Sequence, residues 1–420
     1  MHALSRAQHK LLSIFIFAIT FNLILLHWTS IYVGSTPWLI LGCGLSVMYL
    51  PLVFVSRWGI HAYPLIFLAL EELRNHFPFG GFGWARIAYS QADTPYSIIA
   101  RYGGAVGLSA IVLLLGLFIF QLSKGQSRLW ILFPLLLILV PVHVVNQSTT
   151  KVLLVQGNVP QYGLDFNARA TQVFFNHVKE THKALAEHKK VDFILWPENA
   201  VDVDPFTNPE VKQVLDSFTQ PLIIGAIVEK DNKTLNTSIL WQKNRQIIYS
   251  KQHLTPFGEY IPLRRIASKV SPLTDEVSDF SPGNKQEIFT IGLAKIAPVI
   301  CFELLDDRIV SLAAQHSNIL AIQTNSATFG KSAESSQQLS ITRIRAIEHS
   351  RNVVSVSTTG YSAIIDYTGK IIGKTQMGTA EHLYANLGLM NQQSMRDRLG
   401  DWAWILTFVW LVLVARRLEK

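Results

Sequence analysis

Charge is scarce in this chain of 420 residues: Asp, Glu, Lys and Arg make up 16% of it, against 49% hydrophobic residues and a mean hydropathy of +0.26. Soluble domains usually carry about 25% charged residues, so the deficit points to membrane segments. Cysteine is scarcer still, with only Cys43 and Cys301. Cys43 lies inside an apolar run, which excludes a disulfide between the two, and a large core needs no such staple. The histidines weighed as metal ligands, His182, His188, His253, His316 and His349, fall into no HExxH or CxxC spacing. No metal and no cofactor are expected on that ground. Neither a glycine-rich phosphate loop ahead of a helix nor an internal repeat is present. The formal charge of +8 invites a nucleic-acid reading. No Lys/Arg cluster with interleaved aromatics occurs in the polar part of the chain, so no nucleic-acid partner is expected.

Long apolar runs are plentiful instead. Candidate spans are 11–27, 37–55, 60–72, 100–120, 129–146 and 402–415. The second is uncharged and close to the ~20 residues that cross a bilayer. The third is short and ends in Glu71 and Glu72. A signal peptide is the competing reading for the first, and the further spans and the lack of a small-residue cleavage site argue against it. With the N-terminus inside, the inner side receives Arg6, Lys10, Arg57, Lys124, Arg128, Arg416, Arg417 and Lys420. The short outer loops then carry only Arg74, Arg86 and Arg101, as the positive-inside rule requires. That orientation places residues 151–395 outside the cytoplasm and returns the C-terminus inside. The aromatic, glycine-broken segment 75–99 reads as an outer interfacial loop that could also wall an active site.

Residues 151–395 read as one globular domain, large enough for a single core. Short aliphatic runs recur at 151–157, 191–198, 221–227, 237–242, 246–251, 295–303, 318–325, 352–360, 361–366 and 370–374. Helical stretches intervene near 166–188, 209–218, 305–316 and 335–350. Apolar strands alternating with helices predict a sheet covered by helices. Three strand ends are unusual. Glu198 closes one as WPE, Lys251 another as YSK, and Cys301 a third as VIC. Alone, each has a bland explanation: an inert core thiol, a turn glutamate, a solvated lysine. Together they supply what acyl transfer needs, namely a base for the thiol, a cation for the oxyanion and the nucleophile itself. Arg345, Glu348 and Arg351 stand at helical spacing and read as a structural ion-pair group.

The order WPENA, KQHLTPFGEYIPL and VICFE resembles the nitrilase superfamily, and more narrowly the apolipoprotein N-acyltransferase family. QGNVPQ (156–161), RAIEHSRNVV (345–354), HWTSIYVG (27–34) and FGGFGWARIAYSQAD (79–93) carry the same resemblance. It implies an α-helical membrane bundle plus an α/β nitrilase-like αββα sandwich domain. The bundle would be residues 1–150 with about five transmembrane helices; the catalytic domain would be 151–395, and 396–420 a C-terminal transmembrane helix. The resemblance makes Glu198 the general base, Lys251 the stabiliser of the tetrahedral intermediate and Cys301 the nucleophile. It adds Glu259 beside the lysine and Glu303 as a support of the site, where Glu303 read alone is also a helix-start residue. His253, two residues after Lys251, would line the entrance.

The implied reaction moves a fatty acyl chain from a phospholipid, through a Cys301 thioester, to the amine of a lipoprotein's diacylglyceryl-cysteine. The implied place is a bacterial plasma membrane, multi-pass, with the catalytic domain outside. Two features depart from the family pattern. Family members carry about two further N-terminal spans, an even number that leaves the orientation unchanged. TNSATFG (324–330) stands where many members have an Asn-Asp-x-Trp-Phe pattern, and the ATFGKSAESSQQLS form resembles the actinobacterial branch, in some members of which a polyprenol-phosphate mannosyltransferase is a partner. Competing expectations are a membrane-anchored amidase using the same triad and a non-catalytic scaffold for that mannosyltransferase.

Overall fold

The computed structural model describes residues 9–31, 34–126, 129–140, 148–159, 171–269, 279–400 and 402–417. The chain divides into two compact units, residues 1–143 with 394–420, and residues 144–393. The last helix therefore groups with the N-terminal ones.

In the first unit the main helices are α1 (Lys10–Leu25), α2 (Ser35–Val47), α3 (Tyr63–His76), α4 (Ala100–Leu122) and α9 (Trp402–Arg417). A run of 3-10 turns covers Leu129–Leu139, and the expected span beyond residue 140 lies outside the described residues. Two helical stretches, Ser35–Trp58 and Pro95–Leu122, are long and apolar enough to cross a membrane. The short third run extends to His76 because its charges are consumed internally. Glu71 accepts the backbone N–H of Ile87 at 2.7 Å, and Glu72 pairs with Arg86 at 3.1 Å. Arg74 donates to the Tyr49 hydroxyl. Arg74, Arg86 and Arg101 are all buried, so the loop charges of the sequence reading are interior groups. The 75–99 segment is a chain of 3-10 turns that buries Trp84 and Tyr89, with Trp84 packed on Trp28 at 4.7 Å between ring centroids.

The second unit holds two six-stranded sheets. The first runs β12-β1-β2-β3-β4-β5, with β1 (Thr149–Gln156), β2 (Phe193–Leu195), β3 (Leu222–Lys230), β4 (Lys233–Gln242), β5 (Arg245–Ser250) and β12 (Glu381–Gly388). The second runs β11-β10-β9-β8-β7-β6, with β6 (Phe289–Ile291), β7 (Ala294–Ile300), β8 (Ile319–Thr324), β9 (Asn352–Ser357), β10 (Ala363–Ile365) and β11 (Ile371–Lys374). In each sheet three strands are parallel, β1-β2-β3 and β9-β8-β7, and antiparallel strands flank them.

Side-chain alternation builds four layers. Val152 and Leu154 of β1 face Ile296, Ile319 and Val354 of the other sheet. Leu153 and Val155 face Phe174 and Val178 of α5 (Gln172–Glu187) and Val211 of α6 (Pro209–Ser217). Because both faces are covered, the central strands read as unbroken apolar runs rather than as alternating ones. Helices α7 (Asp307–His316) and α8 (Glu334–His349) follow β7 and β8, completing the expected αββα arrangement. β6 and β12 are strands the sequence reading did not place. Residues 160–170, including the end of QGNVPQ, lie outside the described residues.

Candidate active site

Parallel strands point their C-terminal ends the same way, and the chain uses those ends for its unusual residues. β2 ends at Leu195, and Trp196, Pro197 and Glu198 leave its tip. The turn is tight because Gly225 of β3 lies directly beneath it. A Cβ there would sit 2.3 Å from the Pro197 carbonyl oxygen and 2.6 Å from the Glu198 Cα. Lys251 follows β5 at once, and its N–H bonds the Asn236 carbonyl at 2.8 Å. Cys301 follows β7 and opens a short 3-10 turn, Cys301–Leu305. Its φ of 48° is left-handed, a strained conformation for a residue with a Cβ.

Sheet packing brings these three ends together. Lys251 Nζ lies 2.8 Å from Glu259 Oε2 and 3.4 Å from Glu198 Oε1. The Cys301 thiol interacts with both the Glu198 carboxylate and the Lys251 ammonium. All of Glu198, Lys251 and Glu259 are buried, Lys251 to 1% exposure. The Asn236 amide donates both to Glu198 Oε1, at 2.8 Å, and to Glu259 Oε1, at 2.6 Å. It holds two carboxylates apart at the distance one ammonium can serve. Glu259 also accepts the Thr255 N–H at 2.7 Å, which fixes the PFGEY loop.

The protonation states follow from burial and neighbours. Burial alone would discharge Lys251, but Glu259 and Glu198 outweigh it and hold the ammonium above its ordinary range. Burial likewise pushes Glu259 up, and Lys251 with its hydrogen bonds pulls it below the usual carboxylate range. Glu198 is raised, because burial and Glu259 exceed the pull of Lys251. Burial and the Glu198 charge push the Cys301 thiol well up, against Lys251. The resting cysteine therefore keeps its proton, with a raised carboxylate beside it to receive that proton.

Glu303 is completely buried and is more than a helix-start residue. Its Oε1 accepts from Tyr249 OH at 2.7 Å, from the Gln252 N–H at 2.6 Å and from the His253 N–H at 3.4 Å. Its Oε2 accepts the Ile300 N–H at 2.8 Å. One carboxylate thus joins the residue before Cys301 to the residue after Lys251. Burial raises it to about 7 against those donors. His253, expected at the entrance, bonds Asp306 at 3.0 Å and sits edge-on to Phe302 at 5.2 Å between ring centroids. Arg345 behaves as the spacing predicts. It pairs with Glu348 at 2.6 Å and Asp307 at 2.7 Å, and its Nε bonds the Leu304 carbonyl at 2.9 Å, tying the turn after Cys301 to α8. Arg351 instead ties down the carbonyls of Ala314, Ser317 and Gln392.

Asn236, Tyr249, Gly225 and Glu334 were missed by sequence reasoning. A polar Asn inside KTLNTSIL was the one available signal. Glu334 opens α8, is buried, and accepts the Ser335 hydroxyl at 3.1 Å, close to Ser326 just past β8. Burial raises it to about 7 against those two serines, and the Glu198 charge adds to the rise.

Residues 151–397 match the carbon-nitrogen hydrolase family, and residues 1–118 match the apolipoprotein N-acyltransferase N-terminal domain. The apolipoprotein N-acyltransferase of Mycolicibacterium smegmatis is 32% identical, over 86% of this chain and 69% of that protein. That of Aquifex aeolicus is 31% identical, over 77% of this chain and 75% of its own. Among solved structures, Saccharomyces cerevisiae Nit3, a member of branch 10 of the nitrilase superfamily, is 19% identical over 59% of this chain and 93% of that one, with a TM-score of 0.43. The N-terminal match and these two relatives, 31–32% identical over most of this chain and more than two thirds of their own, show that the chain belongs to the apolipoprotein N-acyltransferase family.

Proposed function

We propose that this enzyme N-acylates lipoproteins by a two-step transfer through Cys301. The observation that carries the reading is the convergence of Cys301, Glu198 and a lysine clamped by two carboxylates. Glu198 takes the thiol proton as the sulfur attacks the ester carbonyl of a phospholipid acyl chain. The oxyanion forms beside Lys251, whose charge is preset by Glu259 and Asn236. Collapse breaks the ester bond, Glu198 returns the proton to the leaving alcohol, and a lysophospholipid departs from a Cys301 thioester.

In the second step the α-amine of an S-diacylglyceryl cysteine attacks the thioester carbonyl. Glu198 takes the amine proton, the amide forms, and the proton goes back to the sulfur. Glu303 acts through others: it fixes the backbone on either side of the nucleophile and the lysine. Two apolar helical stretches and the sorting of Lys and Arg support a multi-pass plasma-membrane protein with residues 151–395 outside the cytoplasm. That side gives access to the phospholipid donor and to the lipoprotein acceptor.

The test is incubation of purified protein in detergent with a phospholipid labelled in its acyl chain. A hydroxylamine-sensitive adduct is expected in the wild type and absent in Cys301→Ala, with Glu198→Gln equally empty. Transfer of label to a diacylglyceryl peptide distinguishes acylation from simple amide hydrolysis. An adduct persisting in Cys301→Ala would end the proposal.

A further inference from the structure

A second constellation lies outside the Glu–Lys–Cys cluster, where the C-terminal end of α5 meets the edge strand β12. β12 pairs with β1 so that His382 stands opposite Val155 and Tyr384 opposite Leu153, the helix-facing positions of that strand. His382 Nδ1 lies 2.8 Å from Glu180 Oε1, and its Nε2 lies 3.3 Å from Glu187 Oε2. His188, one residue past the helix, stacks on Tyr384 with ring centroids 4.3 Å apart and planes within 5°. The Tyr384 hydroxyl is itself tied to the Lys190 carbonyl at 3.3 Å. One ligand atom each from Glu187, His188 and His382 lies within 4.8 Å of the others.

We propose that Glu187, His188 and His382 form a binding site for a divalent transition metal of the zinc type, with Glu180 orienting His382 from behind. Four physical features argue for it. Zinc bonds of about 2.0–2.2 Å put tetrahedral donors about 3.3–3.6 Å apart, and His382 Nε2 and Glu187 Oε2 already stand at that separation. A carboxylate accepting the far N–H of a histidine fixes the tautomer and turns the other nitrogen's lone pair outward, the usual outer arrangement of zinc histidines. The Glu180 side chain that does so is 8% exposed.

The third feature is the helix end. α5 is 16 residues long, and its C-terminal carbonyls carry partial negative charge where the cation would sit. The fourth is mixed ligation: two imidazoles with one carboxylate suit zinc, whereas calcium and magnesium take oxygen alone. The charged groups around the site are Glu180, Glu187 and Lys183, the last bonded to Glu180 at 3.3 Å, with Lys189 and Lys190 following the helix. A metal there would staple α5 to the edge strand of a domain whose one cysteine, Cys301, is a free thiol.

The competing reading is a His382 that simply bridges Glu180 and Glu187 by hydrogen bonds, which needs no metal. Calorimetric titration of untagged, EDTA-treated full-length protein in detergent with ZnCl₂ at pH 7.5 separates them. The site predicts one saturable event at or below about 10 µM and a higher melting midpoint. His382→Ala and His188→Ala each weaken it at least about tenfold, and Glu180→Gln by about tenfold. Cys301→Ser retains it, which keeps the thiol out of the account. His188 is part-exposed at the helix end, so His188→Ala keeps the fold, checked by its metal-free melting midpoint matching wild type. No saturable binding below about 100 µM, or equal affinity in wild type and His188→Ala, overturns the proposal.

Discussion

Glu303→Gln keeps the volume of a buried side chain and exchanges one oxygen for an amide nitrogen. The four donors around Glu303 leave that nitrogen no acceptor. With the amide oxygen kept toward Tyr249, Gln252 and His253, the new N–H₂ faces the Ile300 N–H, donor against donor. At pH 8, above the raised Glu303 value of about 7, the lost bond is to a charged acceptor and is worth about 1.5–3 kcal/mol. Ile300 precedes Cys301, whose left-handed φ of 48° costs about 1–2 kcal/mol to maintain. Losing the anchor removes about as much as the strain requires, so the turn relaxes and the sulfur leaves Glu198. Since about 1.4 kcal/mol is tenfold in rate, acyl-adduct formation should slow by about ten- to a hundredfold. A net loss near 2 kcal/mol should lower the melting midpoint by about 4–8 °C. The assay is single-turnover labelling with the acyl-labelled phospholipid, beside thermal melting in the same detergent. A rate within about threefold of wild type with an unchanged midpoint would refute the reasoning.

Two further outcomes follow from the same geometry. Gly225→Ala puts a Cβ 2.3 Å from the Pro197 carbonyl and pushes Glu198 off its partners; adduct formation should fall at least about tenfold, and an unaltered rate would show that the Glu198 turn is free to shift. Glu334 supplies the pH prediction. Its rise from 4.5 to about 7 means the folded protein binds its proton more tightly than the unfolded chain does. Its contribution is therefore fully present below about pH 4.5 and is lost as pH rises through about 7, on the order of 3 kcal/mol. Glu334→Gln should melt higher than wild type at pH 8 and lose that advantage at pH 5, measured by melting scans across pH; parallel pH profiles would contradict the assignment.

How far residues alone carry the site is clearest from contrasting pairs. Cys301 and Glu198 were readable because a polar residue ending an apolar run is conspicuous, and the strand and helix runs around them matched most elements. The strand at 381–388 was not, because its residues HLYANLG are half-buried on an edge and carry no clean period. Arg74 and Arg86 read as loop charges because sequence gives no sign that Tyr49 and Glu72 await them.

The sequence by itself determined the layered α/β class, the apolar segments, the candidate thiol, carboxylate and ammonium at three strand ends, and the family. Local patterning is enough for those, since each depends on residues close together in the chain. Tertiary structure alone decided that Asn236 bridges Glu198 and Glu259, that Glu303 ties Ile300 to Gln252, and that His382 meets Glu187 and His188. Those contacts join residues that are remote in the chain. They exist only once the two sheets pack face to face and an edge strand returns beside the first one, an outcome of long-range burial that no local pattern encodes.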